Sequence, residues 1–81
     1  MGEDYGDGLR AQIDDIDEQI RDLIQKRFDT VLALHIWKSE NNFPIFDPDR
    51  EEEIIGRYIE DFGDEDGRMI AKSIIGSHDS E

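Results

Sequence analysis

Two cations stand where oily side chains are expected. Between Leu9 and Lys38, apolar residues fall at Leu9, Ile13, Ile16, Ile20, Leu23, Ile24, Val31 and Leu34, the three-and-four spacing of one helical face. At about 100° per residue, all of them lie within about 60° of Arg27, and Lys38 lies about 20° from it. A buried, unpartnered charge is very costly. A stripe made only for packing would therefore carry apolar residues at both places. The two cations are read as partners of anions that a ligand supplies.

Other familiar chemistries are missing. The chain has no phosphate-binding glycine loop, no GxSxG and no cysteine, so disulfides and thiolate metal sites are excluded. His35 and His78 are lone histidines without metal-ligand spacing, and His35 reads as a half-buried helix residue. Glu51, Glu52 and Glu53 are consecutive, so on a helix they point in different directions and form no metal cluster. For Glu52 and Glu53 the reading is favourable charge at a helix start. The residues left for chemistry are Arg10, Arg27, Lys38, Asp47, Arg50 and Glu51. Arg10 lies about 100° around the helix from Arg27, too far to share a pocket with it in one chain. Taken alone it is a surface residue. In a dimer of crossing long helices it reaches the partner's pocket.

The elements that must position these groups are helices. The first runs from Gly8 or Leu9 to Lys38, after an acidic, glycine-rich stretch at residues 1–8 that reads as a disordered tail. Residues 9–81 then form one helical domain. Phe28, Leu32 and Ile36 lie about 100–180° from Arg27, so the second half of the long helix is apolar nearly all round. A helix of about 30 residues spans about 45 Å, too long for a compact monomer of this size. A homodimer packing its long helices together is the economical answer. Ser39 to Phe46 breaks the pattern with Asn41, Asn42 and Pro44. Asp47 reads as an N-cap with Pro48 at the first helical position. The second helix carries Ile54, Ile55, Tyr58, Ile59 and Phe62 on one face and stops at Gly63. Asp64 to Gly67 reads as an acidic turn. A short third helix follows with Met69, Ile70, Ile74 and Ile75 inward, and Ser77 to Glu81 as a fraying end. The expected class is all-α, with one long and two short helices per chain.

Composition bounds the partners. The net charge of −13, with only nine Lys or Arg among 81 residues, argues against nucleic acid or an anionic membrane. No apolar run is long enough to span a bilayer, and the start lacks a signal-peptide core. A soluble cytoplasmic protein is expected.

These residues also carry a resemblance. The pattern L-R-x-x-I-D-x-I-D from Leu9 to Asp17, then Arg27, Lys38, and F-D-P-D-R-E from Phe46 to Glu51 resembles the all-helical chorismate mutase family, without a gap from Leu9 to Ile59. The resemblance implies an interlocked homodimer with two shared active sites. It implies the cofactor-free, metal-free Claisen rearrangement of chorismate to prephenate, the step leading to phenylalanine and tyrosine. It gives Arg27 a substrate carboxylate within its own chain and Arg10 a carboxylate in the neighbouring site. Lys38 meets the ether oxygen, Glu51 accepts from the ring hydroxyl with Asp47 nearby, and Arg50 supports the carboxylate-binding field. The family places a glutamine late in the third helix. Here that position falls just past Glu81, and His78 falls where a small polar residue lines the site. With a one-residue shift Glu81 stands in for the glutamine, and only a protonated carboxyl can donate. A truncated, excised or engineered chain with an incomplete third helix and a weakened activity is the corresponding expectation.

Two other readings accompany it. Relatives act as mutase or pyruvate lyase on isochorismate or 4-amino-4-deoxychorismate, and the pocket cations discriminate poorly among these substrates. A non-catalytic helical dimer serving regulation or interaction would explain the acidic surface, but would gain from replacing the cations of its stripe.

Overall fold

The structure, a computed structural model, describes residues 2–76, with the backbone alone for residues 2–4. It holds three helices, α1 (Gly2–Glu40), α2 (Pro48–Phe62) and α3 (Asp64–Ile75), and no strand among the described residues. The all-α class and the division into one long and two short helices are as expected. Among the described residues, no helix is long and apolar enough to cross a membrane.

The long helix is longer than its apolar stripe. Residues 2–8, expected as a disordered tail, form the first turns of α1. An acidic start suits the positive end of a helix, and Asp7 pairs with Arg10 one turn on at 3.7 Å. Gly6 and Gly8 face open space, so neither imposes a bend. At 1.5 Å per residue the helix is about 58 Å long, and it sets the longest dimension of the chain, 61 Å. The radius of gyration is 16.9 Å, against about 12 Å for a compact chain of this length.

Local chemistry fixes both ends of the loop that follows. Asn42 adopts the left-handed region with φ 61°, which asparagine tolerates better than most residues. The Phe43 N–H then donates back to the Lys38 carbonyl at 2.8 Å and the Asn41 N–H to the Trp37 carbonyl at 3.1 Å. These bonds satisfy carbonyls at the helix end. The Trp37 and Phe43 rings stack at 5.1 Å. Asp47 caps α2 as expected, its carboxylate accepting from the Arg50 N–H at 3.1 Å.

The turn between α2 and α3 is shorter than the sequence suggests. Gly63, with φ 92°, ends one helix and begins the next. Its N–H donates to the Ile59 carbonyl, and the Gly63 carbonyl accepts from the Gly67 N–H, both at 2.8 Å. Asp64 to Gly67, expected as a separate turn, is the first turn of α3. One residue in a conformation glycine adopts freely reverses the chain, and three acids then sit favourably at the N-terminal end of α3.

α2 and α3 pack antiparallel around Ile54, Ile55, Ala71 and Ile75, with Tyr58 and Ile59 against them. The inward face of α3 differs from the expected one. Gly67, Ala71 and Ile75 are buried, Ile70 and Ile74 are half-buried, and Met69 is 61% exposed. Phe62, placed on the inner face of α2 by its spacing, is also exposed. The cause is Gly67. A Cβ there would come within 2.6 Å of the Ile59 nitrogen, so the missing side chain is what lets the two backbones touch. That contact turns the small residues of α3, not its methionine, toward α2.

α1 adds the buried Val31, but most of its stripe faces outward. Leu9, Ile13, Ile16, Ile20 and Leu23 are exposed, and so are Leu32 and Ile36 on the opposite side and Trp37 on the flank.

Two glycine substitutions separate these effects. Gly67→Ala should destabilise by about 1–3 kcal/mol through overpacking. Gly56→Ala, in the middle of α2 with nothing within 4 Å of the added carbon, should stabilise by about 1 kcal/mol. Urea unfolding at one fixed protein concentration compares the two. A neutral Gly67→Ala would mean that the close approach is absent.

Candidate functional site

The C-terminal half of α1 and the first turn of α2 enclose a cleft of about 380 Å³. Leu23, Val31 and Leu34 supply its apolar wall, Thr30 a hydroxyl, and Lys26, Arg27 and Arg50 three positive charges. Among the described residues, no carboxylate lines it. In a chain of net charge −13, a concave surface with three cations and no acid is a local inversion of the electrostatic field, suited to an anionic ligand.

The fold places each cation by a different route. Arg27 sits on the inner face of α1 because the stripe does. It is half-buried, and its Nη1 is closed off from solvent. Arg50 follows from the Asp47 cap, which sets the start and rotation of α2. Its Nη1 also lies 3.5 Å from a Glu53 oxygen, and Glu53 pairs more closely with Arg57 at 2.6 Å. Lys26 and Thr30 escaped notice in the sequence. Lys26 precedes the conspicuous arginine, and Thr30 sits at the polar edge of the stripe. The Thr30 hydroxyl donates to the Lys26 carbonyl at 2.7 Å.

Lys38 stands apart from that cleft, about 16 Å along the helix from Arg27. It is the buried charged residue of the described chain, 9% exposed. Its Nζ donates to the Ile45 carbonyl at 3.2 Å, so the loop back from α1 folds over the ammonium. One carbonyl dipole engages one of three N–H donors. Two donors are left to meet an anionic atom.

The remaining expected residues divide. Asp47 is engaged as the α2 cap. Glu51 is half-buried and lines a second cleft of about 320 Å³ between α2 and the end of α3, with Lys72 and Ile75 among its walls. Arg10 is 82% exposed and about 26 Å along α1 from Arg27. The chain by itself therefore does not unite Arg10 with the other cations. His35 is half-buried on α1 as expected. His78 and Glu81 lie outside the described residues. Among the described residues, no group of three or more His, Cys, Asp or Glu could hold a metal ion.

The cap is testable alone. Asp47→Ala should cost about 1 kcal/mol of stability, and Asp47→Ser should recover most of it. Chemical denaturation of the three proteins measures this. Equal losses in both variants would show that Asp47 acts by something other than capping.

Comparison with known families finds a match to the model described as chorismate mutase type II, over residues 9–75. Comparison with curated proteins and with solved structures gives no match.

Proposed function

The chain belongs to the chorismate mutase type II family and is an isomerase that converts chorismate to prephenate; from that premise we propose how its own residues carry the reaction, and in what assembly. The observation that carries the reading is the three-cation cleft of α1 and α2 in an otherwise acidic chain. Chorismate carries two carboxylates, and its rearrangement needs no nucleophile and no proton transfer. The task is to hold a flexible dianion in a compact conformer and to stabilise negative charge at the ether oxygen as its carbon–oxygen bond breaks.

In this proposal Arg27, the most enclosed guanidinium of the cleft, binds one carboxylate as a planar fork. Arg50 and Lys26 deepen the positive potential around it. Lys38 presents its two remaining N–H donors to the ether oxygen. Its buried position on the same face of α1 strengthens that interaction, because the surrounding medium screens it less than water would. Glu51 accepts from the ring hydroxyl, with Asp47 holding the α2 N-terminus in place beneath it. The second carboxylate is met by Arg10 of a partner chain.

A homodimer supports this last step. Leu9, Ile13, Ile16, Ile20 and Leu23 are aligned on one face of a helix about 58 Å long, a face that its own chain leaves exposed. Covering the exposed half of such a side chain is worth about 1 kcal/mol each, which favours pairing of two long helices. Their crossing would bring the N-terminal half of one α1, with its Arg10, against the C-terminal half of the other.

Loss of the ultraviolet absorbance of chorismate on adding protein measures turnover. Lys38→Ala should abolish turnover while the protein stays folded by circular dichroism. An Ala variant with unchanged kcat would remove Lys38 from the chemistry.

The shared site has its own test. Arg10→Ala and Arg27→Ala homodimers should each be nearly inactive. Mixed and refolded together, they should recover up to about a quarter of wild-type activity, because each heterodimer rebuilds one complete site. No recovery, or a monomer by sedimentation, would overturn the cross-subunit role.

A further inference from the structure

Lys72 has no carboxylate three or four positions away on its own helix; Asp64 and Glu65 of that helix border an open cleft with it. The residues three and four positions away are Arg68, Met69, Ile75 and Gly76, so the i±3 and i±4 pairings that occupy most surface lysines are closed to it. The other base of α3, Arg68, does have such a partner, lying 3.6 Å from Asp64. Lys72 also lines a second cleft, toward α2. It lines the space of about 320 Å³ between the first turn of α2 and the last turn of α3, opposite Glu51 and Glu52, with Ile55 and Ile75 as the apolar floor.

Glu51 needs such a counterpart. It belongs to a run of three glutamates. Arg57 and Arg50 both approach the third of these, Glu53, and neither cation lines the Glu51 cleft. A carboxylate that must accept one particular hydroxyl works best when its rotamer is held. The helix N-terminus favours its charge but does not choose its direction.

We propose that Lys72 is a positioning residue for Glu51: across the α2–α3 cleft its ammonium draws the Glu51 carboxylate into the orientation that accepts from the substrate ring hydroxyl. This rests on the role of Glu51 given above. Glu52 shares the cleft and competes for the same ammonium, so the preference belongs to whichever glutamate the ligand engages. Being partly exposed, the pair contributes modestly, in the range of surface ion pairs.

A double-mutant cycle on the full-length protein tests the inference. Lys72→Met should lower kcat/KM for chorismate about threefold to fivefold, with little change in melting temperature, and Lys72→Arg should restore most of the loss. In a Glu51→Gln background, Lys72→Met should have no further effect, because the neutral amide no longer responds to the ammonium. An equal loss in both backgrounds would overturn the proposal, assigning Lys72 to the fold or to direct substrate contact. If Glu51→Gln alone leaves turnover unchanged, the role of Glu51 itself fails. If Glu51→Gln is impaired and Lys72→Met is not, only the positioning role fails.

Discussion

Everything about this chain turns on the cost of keeping positive charge in an apolar seam. Arg27 and Lys38 occupy the inner face of α1, where a leucine or isoleucine would pack better. A solitary charge in such a place is tolerated only with compensation. The structure supplies part of it. The Ile45 carbonyl meets the Lys38 ammonium, and the cleft around Arg27 stays open to a ligand. In the proposed site, the two carboxylates of chorismate supply the rest of that compensation. A reaction that asks only for restraint and a fixed field can be run by such charges alone.

The architecture positions these charges economically. One asparagine in a left-handed conformation and a stacked Trp37–Phe43 pair end α1 and bring Ile45 over Lys38. One aspartate cap starts α2 with Arg50 toward Arg27 and Glu51 toward α3. A single glycine reverses the chain into α3, and a second lets α3 lie directly on the α2 backbone. α2 and α3 thus form a tight hairpin with its own small core. α1, by contrast, shows solvent a row of isoleucines and leucines. In the proposed dimer, the helix that holds the cations is also the one that recruits the second chain, so assembly and site formation would be one event.

This division of labour explains the acidic exterior. Twenty-two Asp and Glu residues surround nine Lys and Arg, yet three of those nine converge on one cleft that no carboxylate of the described residues lines. The field is therefore carried by placement against the overall charge. The surface keeps the chain repelling its like over long range, while the apolar row of α1 acts at contact.

Much of this was legible in the residues. Periodicity gave α1 and the face on which Arg27 and Lys38 lie, because 3.6 residues per turn is a property of the backbone alone. Asp47–Pro48 marked the start of α2 and Gly63 its end, since capping and left-handed turns are local chemistry. The family pattern from Leu9 to Glu51 named the reaction. Other features were not local. The helical state of residues 2–8 depends on a continuous α1 carrying them, and their glycine-rich composition pointed the other way. The rotation of α3, which exposes Met69 and buries Gly67 and Ala71, was fixed by how closely two backbones approach, which no single-helix pattern contains. Lys26, Thr30 and Lys72 have unremarkable spacing, and only the facing helix shows what they line. Composition and periodicity therefore decided which residues share a face, and tertiary packing decided which faces meet.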